Sequence, residues 1–555
     1  MCSWLATPVA VSRSSSGPSP RVGQPPTTLT PGCRESRRAC RVRSTRRTAL
    51  SLCDPHHGAT VLADRLTLMR RAKIVCTLGP ATSSPAQLRE LVRAGMDVAR
   101  FNLSHGDLED HAKVYMDVRR ASDELGHAVG ILADLQGPKI RTGRFKDGSV
   151  MLENGARFTI TNRDVEGTKD EVGTTYAGLP ADVSAGDSIL IDDGKLALTV
   201  IESSDTDILC EVVEGGVLSN NKGINVPGAA MSVPALSEKD EEDLRWALDI
   251  RVDMIALSFV RSAADIEPVH RIMDEMGVRI PVIAKIEKPQ AVDNLDEIVR
   301  AFDGLMVARG DLGVEMPLET VPLVQKRACE LGRRQAKPVI VATQVLESMI
   351  TNSRPTRAEA SDAANAVLDG ADALMLSGET SVGAHPIEAV TTMARIIENT
   401  EEHGLGRIKP LDTKPRTKGG AVTAAAAEIG ELLGCKFLIC FTVSGDSARR
   451  LARVRPRIPM LAFTPFQWTR SQLALTWGVE TFITPEARHT DQFAMQVDEE
   501  LLGCGKAQEG DIVVIVAGSP PGIPGSTNAL RVHRIGDAKN RVAPAYEDVA
   551  GTTQK

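Results

Sequence analysis

Val282-Ile283-Ala284-Lys285-Ile286-Glu287 and Gly304-Leu305-Met306-Val307-Ala308-Arg309-Gly310-Asp311 share one design, a short apolar run that ends in charged residues. Such a run, bounded by helical sequence, reads as a strand buried on both faces, the kind found in parallel sheets. The design recurs downstream at Val339–Ala342 and Ala373–Ser377 and upstream at Met254–Phe259, each followed by a helical pattern. Farther upstream, strands at Ala72–Thr77, Asp97–Phe101 and Val129–Leu132 alternate with helices at Ser84–Ala94 and Gly106–Leu125. The first of those helices has a Pro near its start and a Gly after its end. About eight strands in this rhythm predict an α/β fold, a closed (β/α)8 TIM barrel.

The rhythm breaks at Pro138. From 141 to about 232 there are strand-like runs and turns (Glu153-Asn154-Gly155, Asp192-Asp193-Gly194, Asn225-Val226-Pro227-Gly228) and no long helix, so a small β-barrel-like domain is inserted in the barrel. The barrel pattern resumes with a helix at Ser237–Leu248. Past Glu401 a Gly/Lys/Pro-rich linker runs to about Lys418. A second α/β pattern follows, with strands near Phe437–Phe441, Met460–Ala462, Glu480–Thr481 and Ile512–Val516. The expected organisation is an extension over 1–68, a discontinuous barrel over 69–138 and 235–405, an inserted β lid over 139–234 and a C-terminal α/β domain over 415–540. No internal repeat is visible.

Composition narrows the function. The chain has 555 residues, 42% of them hydrophobic and 25% charged, ordinary for a protein with a real core. At 3% aromatic it lacks stacking platforms for single-stranded nucleic acid. No apolar run approaches the roughly 20 residues a membrane-spanning helix needs. Residues 1–68 hold ten Arg against Glu35, Asp54 and Asp64, a net +7, so the rest of the chain carries −14 of the total −7. An acidic body disfavours nucleic acid and anionic membranes, so an anionic substrate needs a local cationic pocket. The ten Cys show no CxxC, which reads as reduced thiols in a reducing compartment, and the expected location is cytoplasmic. The Ser/Pro/Arg-rich extension is expected to be disordered. It reads as a transit peptide, a nucleic-acid-binding arm, or upstream sequence ahead of a start at Met69.

In a barrel of this kind the reactive groups sit at the C-terminal ends of the strands. There the sequence places Arg100-Phe101-Asn102-Leu103-Ser104-His105-Gly106, Asp134, Lys285-Ile286-Glu287, Arg309-Gly310-Asp311, Thr343-Gln344 and Ser377-Gly378-Glu379-Thr380. Glu287 and Asp311, carboxylates from successive strands, are hard oxygen ligands for Mg²⁺ or Mn²⁺, with substrate and water completing the shell. Read blandly, they are two solvated surface acids. Lys285, two residues before Glu287, faces the same side and suits a phosphoryl or enolate oxygen, or else forms a salt bridge and nothing more. Arg100 offers a fork for phosphate or carboxylate. The Gly310 turn offers backbone N–H groups to a carboxylate. Together they describe a pocket for a small phosphorylated acid bound through a divalent metal.

Six stretches carry a closer resemblance. Ile74-Val75-Cys76-Thr77-Leu78-Gly79-Pro80-Ala81-Thr82, Arg100 to Gly106, Ala133-Asp134-Leu135-Gln136-Gly137-Pro138-Lys139-Ile140-Arg141-Thr142-Gly143, Ile283 to Glu287, Met306 to Gly313 and Ala342-Thr343-Gln344-Val345-Leu346-Glu347-Ser348-Met349 resemble pyruvate kinases, in family order. The resemblance implies transfer of phosphate from phosphoenolpyruvate to ADP, giving pyruvate and ATP. It implies that Glu287 and Asp311 hold Mg²⁺, that Lys285 and Arg100 serve the phosphoryl group, and that Gly310 and Asp311 N–H groups hold the substrate carboxylate. Thr343 falls near the enolate carbon. Asn102, Ser104, His105, Arg141 and Lys222 match nucleotide-side positions, and the inserted domain would be a closing lid. Members are usually homotetramers.

Two other readings share these residues. A Mg²⁺-dependent aldolase or lyase acting on pyruvate enolate has no need of the lid or Lys222. A catalytically retired member would only bind ligands, yet every matched catalytic position here carries a competent residue.

Two finer expectations follow from the resemblance. K⁺-using members hold the ion by groups matching Asn102, Ser104, Asp134 and the carbonyl at Leu135, with Thr-Lys where this chain has Leu135-Gln136 and Glu where it has Lys139. The Lys139 ammonium is expected to replace K⁺; read blandly, it is a solvated hinge residue. In the C-terminal domain, Thr442-Val443-Ser444-Gly445-Asp446-Ser447 ahead of a basic helix (Arg449, Arg450, Arg453) resembles the family's effector site, beneath Pro520-Pro521-Gly522-Ile523-Pro524-Gly525. Thr442, Ser444, Gly445 and Ser447 are its candidate ligands, and Asp446 points to a phosphorylated effector of low charge, a nucleoside or sugar monophosphate. The bland alternative is an N-cap.

Overall fold

The computed structural model describes residues 70–229 and 232–539. The extension 1–68, with the disorder and the three origins expected for it, lies outside the described residues. Eight parallel strands close into a barrel: β1 (Lys73–Thr77), β2 (Val98–Asn102), β3 (Gly130–Asp134) and, after the insertion, β12 (Met254–Leu257), β13 (Val282–Ile286), β14 (Gly304–Ala308), β15 (Val339–Ala342) and β16 (Ala373–Leu376). Their order around the barrel is β1-β16-β15-β14-β13-β12-β3-β2, every neighbouring pair parallel. Every strand is almost wholly buried, which is why each reads as a continuous apolar run. Val75, Val98, Leu132, Ile283, Met306, Ile340 and Met375 fill the interior.

The interior cluster also includes Ala474 and Leu475, which the C-terminal domain inserts beneath the barrel. Gly130, at the start of β3, makes that approach possible. A Cβ there would lie 2.7 Å from the Ser471 carbonyl oxygen, well inside contact distance.

Eight strands occupy the insertion: β4 (Ser149–Leu152), β5 (Arg157–Thr161), β6 (Glu171–Gly173), β7 (Ser188–Ile191), β8 (Leu196–Ser203), β9 (Asp207–Glu214), β10 (Gly216–Ser219) and β11 (Ile224–Asn225). They form a six-stranded sheet ordered β11-β7-β8-β9-β5-β6 and a β10-β4 pair, around a separate core that includes Phe158, Ile189, Leu198 and Ile208. One four-residue helix, Leu179–Asp182, is the only helix there among the described residues. The chain re-enters the barrel through the helix Glu238–Asp249, capped reciprocally by Ser237 and Asp240. Asp240 Oδ1 also accepts the Gly137 N–H at 2.9 Å, so one carboxylate ties the exit to the insertion to the return from it.

The C-terminal sheet runs β19-β18-β17-β20-β21, from β17 (Phe437–Phe441), β18 (Met460–Thr464), β19 (Val479–Ile483), β20 (Ile512–Gly518) and β21 (Thr527–Arg534). The first four are parallel; β21 pairs antiparallel with β20. Sequence reading ends the strands at Ile512–Val516 and misses β21. That strand lies on a sheet edge, half-exposed along most of its length, and its Asn, Arg and His side chains break the apolar alternation.

Candidate active site

The strand ends converge on a charged cluster sealed in the barrel mouth. Glu287, directly after β13, is 1% exposed, and Asp134, the last residue of β3, is also 1% exposed. Glu287 is therefore no solvated surface acid, and its expected companion Asp311 is half-buried. Lys285 lies 2.8 Å from Glu287 Oε1 and 3.3 Å from Asp134 Oδ1. Burial alone would depress its ammonium, but Asp134 and Glu287 outweigh that and raise its pKa, so Lys285 stays charged. Arg100, on β2, gives Nε to Asp134 Oδ2 at 2.7 Å and Nη1 to Thr77 Oγ1 at 2.9 Å. Burial would raise the Asp134 carboxyl; Lys285 and Arg100 instead hold it below the ordinary carboxylate range.

Sequence reasoning missed the residue that holds this cluster in place. Ser258, 2% exposed after β12, accepts the Lys285 ammonium at 2.7 Å and donates to the Leu135 carbonyl at 2.7 Å. The next residue, Phe259, has φ +54° and gives its N–H to Glu287 Oε2 at 2.8 Å. The end of β12 carries only Ser, Phe and Val before Arg261. No charge marks it, although its position at a strand end was the available signal.

Asp311 comes from the next strand, in the helix Arg309–Glu315 that begins where β14 ends. Burial pushes the Glu287 carboxyl upward, Lys285 pulls it back, and the Asp311 carboxylate raises it further. Two carboxylates that repel across the mouth are a donor set that fits a hard divalent cation. Among the described residues no group of three or more His, Cys, Asp or Glu gathers, so substrate and water would supply the remaining ligands. Gly310 falls in a helical first turn, and its N–H is already given to Thr343 Oγ1 at 2.7 Å. Thr343 and Gln344, after β15, have φ +63° and +52°. For a β-branched residue this is genuine strain, and it turns the Thr343 hydroxyl towards Gly310.

The inserted domain supplies the other wall. Lys139 lines an open cavity with Asp311, Phe259, Arg261, Lys288 and Asn225. Glu315, buried in the same helix as Asp311, receives both Lys288 Nζ at 2.6 Å and Asn225 Nδ2 at 2.5 Å. Arg141 Nη1 donates to the Asn221 carbonyl at 3.2 Å, and Lys222 pairs with Asp192 at 2.8 Å, so both are anchored within the insertion. Asn102 Oδ1 accepts the Ser104 N–H at 3.3 Å, and His105 is exposed. Arg261, Lys288 and Glu315 lie outside the family motifs read above, which is why they escaped the sequence.

In the C-terminal domain, Thr442, Ser444 and Ser447 line a partly open cavity flanked by Pro521–Thr527. The Gly445 N–H is given to Thr442 Oγ1 at 2.9 Å, and Ser447 shares a 2.6 Å hydrogen bond with Thr527. Of the basic residues that follow the loop, Arg449 donates to the Ser444 carbonyl at 3.0 Å and Arg450 pairs with Asp446 at 2.6 Å, whereas Arg453 turns away to the Arg334 carbonyl at 3.3 Å. The N-cap itself, Gly445, offers no side chain, and the Thr442 hydroxyl takes its N–H instead.

A closed parallel barrel with a buried lysine–carboxylate cluster at its C-terminal mouth, walled by an inserted β-domain, is a (β/α)8 enzyme built for a small anionic substrate. Two family models match: "Pyruvate kinase, barrel domain" over residues 69–390 and "Pyruvate kinase, alpha/beta domain" over 420–533. The chain belongs to the pyruvate kinase family. It is 60% identical over 470 residues to the pyruvate kinase of Mycobacterium tuberculosis H37Rv, covering 85% of this chain and 99% of that one. It is 59% identical over 468 residues to the pyruvate kinase of Corynebacterium glutamicum, covering 84% and 98%. The crystal structure of a pyruvate kinase from Cryptosporidium parvum superimposes with a TM-score of 0.77 at 35% identity, covering 84% of this chain and 96% of that one.

Proposed function

We propose that the chain transfers the phosphoryl group of phosphoenolpyruvate to ADP. The bond from phosphorus to the enol oxygen breaks, a bond to the β-phosphate of ADP forms, and the enolate left behind takes a proton at carbon to give pyruvate. The observation that carries this reading is Lys285, kept charged inside the barrel mouth by Asp134 and Glu287. Its fixed cation faces the place where charge develops, and phosphoryl transfer is mostly positioning and charge stabilisation. Arg100 binds phosphate beside it. The Asp311 N–H serves the substrate carboxylate, with Gly310 joining only if Thr343 releases its N–H. Mg²⁺ or Mn²⁺ on Glu287 and Asp311 would supply a Lewis acid for the phosphoryl and enolate oxygens. The Thr343 hydroxyl, near the carbon to be protonated, belongs to the path of that proton.

The same reading assigns Asn102, Ser104, His105, Arg141 and Lys222 to the nucleotide side. The insertion over 139–234 acts as a lid on the barrel of 69–138 and 235–405, and closure excludes water that would take the phosphoryl group. The domain over 415–540 takes a phosphorylated effector at Thr442, Ser444, Gly445 and Ser447. The working form is a cytoplasmic homotetramer. A lactate-dehydrogenase-coupled assay with phosphoenolpyruvate and ADP tests the reading directly; no ADP-dependent pyruvate release would overturn it in favour of a lyase or a retired binding protein.

The enzyme also works without K⁺. The half-buried Lys139 reaches over Gly223, whose Cβ, if it had one, would meet the lysine Cε at 3.2 Å, and it shares a cavity with Asp311. An ammonium there supplies the monovalent charge and repels a second cation. In tetramethylammonium buffer the rate should change little on adding K⁺, and Lys139→Glu should make it K⁺-dependent. A tenfold activation of the parent protein by K⁺ would show the idea wrong.

A further inference from the structure

The loop over 103–106 joins the end of β2 to the helix Leu108–Leu125 and carries Ser104 and His105, two of the residues assigned to the nucleotide side. The His105 side chain is exposed, yet the backbone beneath it is tied down. The Leu103 N–H goes to the Asp134 carbonyl at 3.0 Å, and the His105 N–H to the Asn102 carbonyl at 3.2 Å. Lys239 Nζ donates to the Leu103 carbonyl at 2.9 Å. Lys239 belongs to the helix Glu238–Asp249, which brings the chain back from the insertion.

The His105 carbonyl is held by His111, in the first turn of the helix Leu108–Leu125, whose Nε2 lies 2.8 Å from it. A carbonyl oxygen only accepts, so the ring carries a proton on Nε2 and donates it to this bond. The half-buried imidazole packs against two aromatic rings, Phe101 at 5.6 Å and Trp246 at 6.2 Å between centroids. Phe101 is fully buried on β2, and Trp246 lies on the same helix as Lys239. The loop folds back over the imidazole at Gly106, where φ is +80° and a Cβ would meet His111 Nε2 at 3.3 Å. Glycine is the residue that adopts this conformation without strain.

We propose that His111 is a positioning residue for the nucleotide. Its hydrogen bond fixes the His105 carbonyl, and with it the direction in which the Ser104 and His105 side chains leave the loop. The inference deepens the nucleotide-side assignment of those two residues and rests on it. A binding loop that must be ordered when its ligand arrives loses affinity to that ordering, and one held beforehand does not. Here both ends are held, Leu103 by Lys239 and His105 by His111. Both holders rest on the helix Glu238–Asp249, Lys239 as part of it and His111 through the Trp246 ring. Asp240 of that helix also takes the Gly137 N–H, so the nucleotide loop and the exit to the insertion share one anchor.

Steady-state kinetics of the full chain, with ADP and phosphoenolpyruvate varied in turn, test the proposal. His111→Leu should raise KM for ADP about fivefold, the effect of one lost hydrogen bond. The loss should fall on KM for ADP and not on kcat or on KM for phosphoenolpyruvate. His111→Gln, whose amide nitrogen can take the place of Nε2, should restore the parent value. His105→Ala serves as the direct probe of the loop and should raise KM for ADP as well. If His105→Ala is impaired and His111→Leu is not, the positioning role is overturned and the nucleotide-side assignment stands. If neither variant changes KM for ADP, the assignment falls and the positioning role with it. Equal impairment of His111→Gln and His111→Leu overturns the part given to the hydrogen bond. Should His111→Leu not fold, His111→Asn, polar but too short to reach the carbonyl, takes its place with the same expectations.

Discussion

Lys285 shows how a residue's charge state is made by its neighbours. It sits inside a barrel, where an ammonium alone would lose its proton, and two carboxylates within 3.3 Å keep the proton on. Lys285→Met should lose about 10³-fold or more in kcat, because one preorganised charge at the transition state disappears. A circular dichroism spectrum like the parent's, with bound Mn²⁺ still visible by electron paramagnetic resonance, would separate this from misfolding; near-normal turnover would remove Lys285 from the chemistry. The pairing of Lys285 with Glu287 on one face was legible because side chains two apart in a strand share a side. The hydroxyl of Ser258 was not, since nothing in a serine's own sequence context announces that it will bridge two other strands.

At the scale of the element, the start of the barrel rests on Asp97. Its Oδ2 accepts Arg70 Nη2 at 2.6 Å and the Ile74 N–H at 2.8 Å, joining the entry of β1 to that of β2. Burial would raise this carboxyl, but Arg70 and Lys73 outweigh it and hold it far below its ordinary value. A depressed carboxyl stabilises the fold above its unfolded pKa of about 3.9, and the contribution is lost as the pH falls below that towards the folded value. Asp97→Asn should cost about 3–5 kcal/mol at neutral pH, since it strands buried cations, and the deficit relative to the parent should shrink in acid. Guanidinium unfolding of both proteins at pH 7 and pH 3 measures it; an undiminished deficit at pH 3 would assign the loss to packing. The loop Thr442–Ser447 is the second element with a test. Ser444→Glu adds a negative charge where a phosphate is expected and should abolish activation by a nucleoside or sugar monophosphate while the effector-free rate holds. Activation that survives places the effector elsewhere.

At the scale of the molecule, the insertion is held to the barrel by a latch of three residues. Asn225 in β11 and Lys288 beside β13 meet on the buried Glu315. Removing the neutral arm leaves the ion pair intact, so Asn225→Ala should fold normally and loosen the lid alone. A hydrogen bond to a charged group contributes about 1.5–3 kcal/mol, so KM for ADP should rise about tenfold with kcat little changed. Hydrogen exchange across β7 and β11 should quicken in step. Unchanged exchange together with unchanged KM would mean that the insertion is held by other contacts.

The strand rhythm, the break at Pro138 and the charged strand ends were determined by the sequence itself, because burial on both faces leaves a continuous apolar run and a barrel exposes its chemistry at one end. Glu287, Asp311, Lys285 and Arg100 were legible for that reason. The tertiary structure alone decided what their partners would be. Ser258 reaches Lys285 from 27 residues away, and Glu315 reaches Asn225 from 90. It also commits the Gly310 N–H to Thr343 and sets Arg453 against the barrel and not the effector loop. Periodicity records which face of an element is buried. Which two elements then meet, and so whether a polar group finds an acceptor or a like charge, is settled only when the barrel closes and the C-terminal domain docks beneath it.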